Sequence, residues 1–183
     1  MKTERKIIAV VGLCGSGKSV VCDYIEEKGY KKVYFGGIVI EEVKKRGLDV
    51  IEDNEKKIRE ELRQKYGMEA MAILSIDKIK AFLKNNDNVL IDGLYSMSEY
   101  KVLKKEYPKM TTIAVFTPRE LRYKRLSERK VRPLSREEAV RRDIAEIENI
   151  EKAGPIALAD HTLINNDSIE KLKEQVEQAL NNI

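Results

Sequence analysis

Gly12-Leu13-Cys14-Gly15-Ser16-Gly17-Lys18-Ser19 is the stretch that decides the fold. It matches the phosphate-loop pattern: glycine, any four residues, then glycine, lysine and serine or threonine. Its flanks fit as well. Lys6-Ile7-Ile8-Ala9-Val10-Val11 is a short apolar run of the kind that forms a buried strand, and Lys18-Ser19-Val20-Val21-Cys22-Asp23-Tyr24-Ile25 reads as the start of a helix. Gly12, Gly15 and Gly17 let the backbone turn, and approach a ligand, where a side chain would collide. The loop can then point main-chain N–H groups inward, where the positive end of the following helix also favours an anion. The candidate residues for a nucleoside triphosphate are therefore Gly12, Cys14, Gly15, Ser16, Gly17, Lys18, Ser19 and Val20. Lys18 would place a mobile cation on the terminal phosphates, and the Ser19 hydroxyl can ligate the Mg2+ that accompanies them. The loop does not say what the triphosphate is for.

A chain of 183 residues reads as one domain, 1–183, with a real core. Charged residues make up 36% of it, which points to a wet surface, yet the formal net charge is only +4, too mild to argue for nucleic acid. No apolar run approaches membrane-spanning length. Residues 1–6 lead straight into the first strand, so no signal peptide is expected before it. The two cysteines, Cys14 and Cys22, resemble neither a disulfide framework nor a metal cluster, so a reduced cytoplasm is the natural setting. Cys14 reads as a tolerated small loop residue rather than a redox switch.

Further apolar runs at 32–35, 88–92, 110–116 and 161–165 read as strands separated by helical patterns, which signals an α/β fold with a parallel sheet covered by helices. Ile51, Ile58, Leu62 and Tyr66 recur at helical spacing, as do Ala72, Ile76, Ile79 and Leu83. Thr117-Pro118-Arg119-Glu120 has the form of a capping box with proline at the first helical position, and Ser135-Arg136-Glu137-Glu138 is another. Asp167 or Ser168 caps a last helix that runs to about Leu180. Residues 36–86 are free of strands and long enough to form a helical flap over the sheet edge, where a second substrate could bind.

Val89-Leu90-Ile91-Asp92 places a carboxylate at the carboxyl end of a buried strand, beside the phosphate loop, where open α/β sheets bind ligands. Asp92 could hold Mg2+ through water or hydrogen-bond the second substrate, against the plainer reading of an Asp-Gly turn. Many ATP-hydrolysing motors have a glutamate at the next position; here it is Gly93. Most of the arginines lie together, at 119, 122, 125, 129, 132, 136, 141 and 142, with Arg122, Arg125 and Arg129 spaced to share one helix face. Guanidinium groups suit the charge that phosphoryl transfer spreads over the migrating group, and Arg125, Arg129 and Arg132 are the candidates for it. The plainer reading is a solvated face paired with nearby glutamates. Asn165, in the turn after the last strand, is a candidate for contact with a purine ring, or simply part of a strand-to-helix turn. His161, the one histidine, begins a strand away from the carboxyl edge and reads as structural.

Together these stretches resemble the phosphate-loop kinases of small molecules, the group that contains adenylate kinase and dephospho-CoA kinase. Within that group the chain looks most like adenylate-kinase-related proteins of uncertain substrate. The resemblance covers nearly the whole chain, through residues 12–19, 89–93, 117–129 with Arg132, Arg142-Asp143 and 157–168; the last run is especially like dephospho-CoA kinase. It implies a three-layer fold with a five-stranded parallel sheet in the order 2-3-1-4-5. It also implies an acceptor-binding region at about 36–86, a small lid at about 126–140, and ATP with Mg2+ as cofactors. Two departures bear on the acceptor. Relatives commonly have an aspartate just after the second strand, and nucleotide kinases an arginine a little further on. Here Gly37 stands where the acid is expected, and Ile40 where the arginine is. Losing a general base costs about 10²–10⁴-fold in rate. Arg63 is a candidate substitute cation, or else a surface arginine paired with Glu60.

The leading expectation is an ATP-dependent transfer of the gamma-phosphoryl group to a nucleotide-like acceptor, of nucleoside monophosphate or dephospho-CoA type. Lys18 and Asp92 would act at the reacting phosphate, Gly37, Arg63, Asp92 and Gly93 on the acceptor side, and Ser19 and Asp92 at the metal. The alternative is a nucleotide-binding regulator or pseudokinase that has lost its acceptor site. A switch GTPase or motor ATPase fits poorly: there is no Asn-Lys-x-Asp guanine motif, and Gly93 replaces the motor glutamate.

Overall fold

Residues 5–183 are described by a computed structural model. The expected passage of residues 1–6 into the first strand therefore lies mostly outside the described residues. Strand β1 (Ile7–Val11) is buried along its whole length and ends at the phosphate loop, from which α1 (Lys18–Glu27) departs. Then follow β2 (Lys31–Tyr34), α2 (Phe35–Lys45), α3 (Glu52–Tyr66), α4 (Ala70–Lys84), β3 (Val89–Asp92), α5 (Met97–Glu106) and β4 (Thr111–Phe116). The chain closes with α6 (Arg119–Ser127), α7 (Arg136–Glu148), α8 (Ala153–Ala157), β5 (His161–Ile164) and α9 (Ile169–Asn181).

The five strands form one parallel sheet in the order β2-β3-β1-β4-β5. Side chains alternate between its faces because a strand has a two-residue repeat. Ala9, Val33, Ile91 and Ala114 face α2, α3, α4 and α5 through Val39, Ile58, Ile79 and Leu103. Ile8, Leu90, Ile113 and Leu163 face α1 and α9 through Val21, Ile25, Leu172 and Val176. A third, smaller cluster joins Cys14 of the loop to Tyr123, Leu126 and Ala139 of α6 and α7. No helix of the described residues is long and apolar enough to cross a membrane.

Register decides what gathers at the carboxyl edge. Asp92 pairs with Val10 on one side and Tyr34 on the other. Phe116 pairs with Ile164, so Thr117 and Asn165 leave the sheet together, and Asn165 N donates to Phe116 O at 2.8 Å. The expected strands are all present within a residue or so of their bounds, except that Phe35 opens α2 rather than closing β2. Residues 36–86 hold α2, α3 and α4 without a strand. The capping box at Ser135 is formed, and Ser168 rather than Asp167 caps α9. Thr117 does not cap α6: Pro118 takes the N-cap position and the Thr117 hydroxyl turns to the phosphate loop instead. A further capping box at Ser96 and Glu99 starts α5.

Phe35 is the side chain that fixes the β2-to-α2 turn. It is 1% exposed, whereas Phe116 at the edge of the opposite half is 52% exposed. Phe35→Ala should cost about 3–5 kcal/mol in urea denaturation, the range for emptying a buried aromatic site, and Phe116→Ala far less.

Candidate functional site

The phosphate loop is held from below and from its sides. Lys18 Nζ donates to Gly12 O at 2.8 Å and Leu13 O at 3.1 Å. Thr117 Oγ1 donates to Ser16 O at 2.9 Å, and Asn165 Nδ2 donates to the same oxygen at 2.8 Å. Asn165 lies so close that a Cβ on Gly17 would stand 2.1 Å from Nδ2, and Gly17 also has φ +93°. Glycine is required there on both counts. Ser19 is exposed on the first turn of α1, and Val20 follows it half-buried.

Charge surrounds the loop. Burial pulls the Lys18 pKa down to about 8; Lys152 adds to this and Glu146 opposes it. Burial raises the Asp92 carboxyl above its ordinary value, against the pull of Lys32, a hydrogen bond from the Cys22 thiol, and Lys18. Asp92 therefore lies within the field of Lys18, at the end of β3 where it was expected. Gly93, φ +102°, turns the chain away directly after it. Among the described residues no three His, Cys, Asp or Glu side chains group as a metal cage. The oxygens of Ser19 and Asp92 fit Mg2+ only as a partial set, to be completed by phosphate and water oxygens.

The arginines divide. Arg122 is buried, forks onto Asp143 at 2.8 and 2.6 Å and donates to Cys14 O at 3.0 Å. Arg125 reaches Asn165 Oδ1 at 3.3 Å and Thr117 Oγ1 at 3.5 Å, at the rim of the loop. Arg129 is exposed and lies past the end of α6, so it does not share a helix face with the other two. Arg132, at φ +51°, pairs with Glu52 at the start of α3 at 2.5 Å, so the α6–α7 connection touches the helical segment of α2 to α4.

On that side, Gly36 and Gly37 form the first turn of α2 beneath the Tyr34 ring; a Cβ on Gly36 would stand 2.4 Å from Tyr34 Cζ. A cleft of about 700 Å³ opens between α2, α3 and α4, lined by Tyr34, Ile38, Glu42, Leu62, Tyr66 and Lys78 among others. Arg63 is half-buried, with Nε lacking a hydrogen-bond partner, and Glu99 rather than Glu60 is its leading electrostatic partner. Asn165 has its side-chain amide engaged by the protein on both ends, which makes it a strut of the loop.

Sequence reasoning passed over Glu146 and Lys152. Glu146 Oε2 accepts from Cys14 N at 3.1 Å and from Lys152 Nζ at 2.8 Å. A signal existed for the first: Ala139, Asp143 and Glu146 recur at helical spacing, an odd place for two acids unless that face is buried against cations. Lys152, isolated in a turn, gave none. Tyr34 was signalled only by an aromatic residue near a Gly-Gly pair.

A family model described as an AAA domain matches residues 8–162. A UPF0200 protein of Thermococcus kodakarensis is 36% identical over 181 residues, covering 97% of each chain. Among solved structures, dephospho-CoA kinase from Campylobacter jejuni superposes with a TM-score of 0.56 at 16% identity, over 98% of each chain. Shikimate kinase from Bacteroides thetaiotaomicron superposes with a TM-score of 0.60 at 13% identity, over 97% of this chain and 99% of that one. At such identities the structural likeness shows a kinase-like phosphate-loop fold and no more.

Glu99 makes the stability of the fold depend on pH. Burial pushes its carboxyl up to about 7, against hydrogen bonds from the Tyr95 and Ser96 amides. The folded protein thus keeps a proton that the unfolded chain releases from about pH 4.5 upward. That stabilisation is complete at low pH and is lost as pH rises through about 7. Glu99→Gln, which keeps an oxygen for the two amides, should match the parent near pH 4.5. By pH 8 it should be more stable by about 3 kcal/mol, at 1.36 kcal/mol per unit, in urea denaturation across that range.

Proposed function

This chain belongs to the AAA domain family and to the UPF0200 proteins, and on that footing we propose that it is an ATP-dependent phosphotransferase. It would move the gamma-phosphoryl group of ATP to a nucleotide-like small molecule, of nucleoside monophosphate or dephospho-CoA type, in the manner of the adenylate kinase and dephospho-CoA kinase group. The observation that carries this reading is the loop itself: Lys18 folded onto the Gly12 and Leu13 carbonyls at the start of α1, with Asp92 in its field across the sheet edge. Phosphoryl transfer needs positioning and charge neutralisation more than covalent chemistry, and a loop with Lys18 near Asp92 supports that reading.

In this reading the loop from Gly12 to Val20 wraps the triphosphate, although the Cys14, Ser16 and Val20 amides are already bonded to Glu146, Leu13 O and Gly17 O; Lys18 leaves its carbonyls for the terminal phosphates, and Arg125, at the rim of the loop, helps to neutralise the charge that develops on the migrating group. Mg2+, when bound, neutralises phosphate charge, with Ser19 and Asp92 as the protein oxygens near it. Arg129 and Arg132 sit on the connection between α6 and α7, which would act as a lid at about 126–140; Arg132 leaves Glu52 when it turns to phosphate. The acceptor enters over 36–86, beside Asp92 and Gly93, with the half-buried Arg63 as its cation. An acceptor that is already a phosphate needs no base, which suits Gly37. The whole chain acts as one domain, in the cytoplasm.

A second reading is favoured by one observation. The Tyr34 ring covers the Gly36-Gly37 turn where the resemblance to small-molecule kinases would place an acid, as it would in a nucleotide-binding regulator that has lost its acceptor.

Two measurements decide. Lys18→Ala should weaken ATP binding about 10- to 100-fold, the worth of one to two charge-assisted hydrogen bonds. Equal binding by parent and variant removes the kinase reading. ATP incubated with nucleoside monophosphates, deoxynucleotides and dephospho-CoA should yield ADP that depends on one acceptor; tight ATP binding with no such turnover selects the regulator.

A further inference from the structure

Glu146 and Lys152 meet under the loop, and nothing in the proposed phosphotransfer uses them yet. The turn after α7 passes through Glu151 at φ +53° and brings Lys152 back to Glu146, with Lys152 N on Glu146 O at 3.0 Å. The Lys152 side chain is only 3% exposed, paired with Glu146 Oε2 at 2.8 Å and set over the Tyr95 ring at 4.6 Å. The same Oε2 accepts the Cys14 main-chain N–H, while Oε1 has a second cation available, the half-exposed Arg142, whose Nε is 3.4 Å away. Burial works against the Glu146 carboxylate, but Lys152, Lys18 and Arg142 outweigh it and keep it ionised.

Two ammonium groups, Lys18 and Lys152, are thus packed close enough for the second to depress the first. Such an arrangement opposes folding unless anions share the site, and a buried ion pair alone is no net gain over apolar packing. Glu146 is one anion. It bonds a loop amide and a buried lysine, the same two kinds of donor that a phosphate oxygen takes in a phosphate loop.

We propose that Glu146 is an internal stand-in for a phosphate oxygen, and that Lys152 is a phosphate-binding residue which a polyphosphate takes over from it. On arrival of the polyphosphate, Lys152 turns from Glu146 to the anion and Glu146 keeps its charge balanced on Arg142. The carboxylate then sets a threshold: it competes with every anion for Lys152, and only a ligand with more charge and more oxygens than a single phosphate wins. This rests on the reading of the loop as a triphosphate site.

The test is calorimetric binding of tripolyphosphate and of ATP with Mg2+ to the full chain. Glu146→Gln keeps an oxygen for Cys14 N–H and removes the competitor. It should bind tripolyphosphate about tenfold more tightly, and show a larger ligand-induced rise in Tm, even though the protein by itself melts lower. Lys152→Met should bind about tenfold more weakly, Lys152→Arg should keep most of the affinity, and the neutral pair Glu146→Gln/Lys152→Gln should lose the gain of the single variant. Unchanged or weaker binding by Glu146→Gln overturns the proposal and leaves a structural ion pair. If that variant does not fold, Lys152→Met against Lys152→Arg decides, and equal affinity for the two overturns it. Failure of the loop reading looks different: the parent then binds tripolyphosphate no better than Lys18→Ala.

Discussion

An anion site made of main-chain amides works only if the carbonyls of the same peptides are held away from the anion. Much of the order around this loop follows from that constraint. The Gly12 and Leu13 carbonyls accept from Lys18, Cys14 O from Arg122, Ser16 O from Thr117 and Asn165, and Gly17 O from the Val20 amide that begins α1. These donors come from the helix after the loop, from α6, and from the ends of β4 and β5. The sheet order explains why they are at hand: β1 lies between β3 and β4, so the residues leaving β4 and β5 pass beside the loop. The close approach of Asn165 then requires glycine at position 17.

The α6–α7 pair is attached to this loop more by charge than by apolar area. Its apolar contact with the loop is the small cluster of Cys14, Tyr123, Leu126 and Ala139. The buried fork between Arg122 and Asp143 adds direction, with Tyr123 Oη donating to Asp143 Oδ2 at 3.0 Å. Desolvating such groups costs several kcal/mol, so they contribute geometry rather than net stability, and removing one partner alone is the damaging change. An element held by few apolar contacts and a directed ion pair can open locally at lower free energy than the sheet. The connection between α6 and α7 carries the exposed Arg129 and Arg132 and touches the start of α3 through Arg132 and Glu52.

The fold was legible because its signals are local. Five apolar runs of strand length alternate with helical patterns, and the loop motif ties the first strand to the first helix. The sheet order came only from resemblance, since no local pattern encodes which strands are neighbours. The positions of Lys18 at the start of α1 and Asp92 at the end of β3 were legible because each is tied to a local element. The site was illegible where a side chain has several possible partners. Thr117 has the spacing of a helix cap, yet the loop carbonyl within its reach wins. Arg122 looks like its neighbours on a basic helix until Asp143 and Cys14 O single it out. Glu146 and Lys152 are separated from the loop by more than a hundred residues, and only packing brings them there.

The α2–α4 segment and the α6–α7 connection meet at an exposed contact, Arg132 on Glu52. Both groups are more than half exposed, and such pairs are worth about 0–1 kcal/mol. A contact of that size can bias the position of the α6–α7 connection without fixing it. Arg132 also carries a left-handed backbone, which a non-glycine residue holds at some cost, so the contact is partly offset by local strain. The balance between the pair and the strain is small. The arrangement therefore leaves Arg132 free to exchange a weak carboxylate partner for a stronger one, while the buried Arg122 stays where the loop needs it.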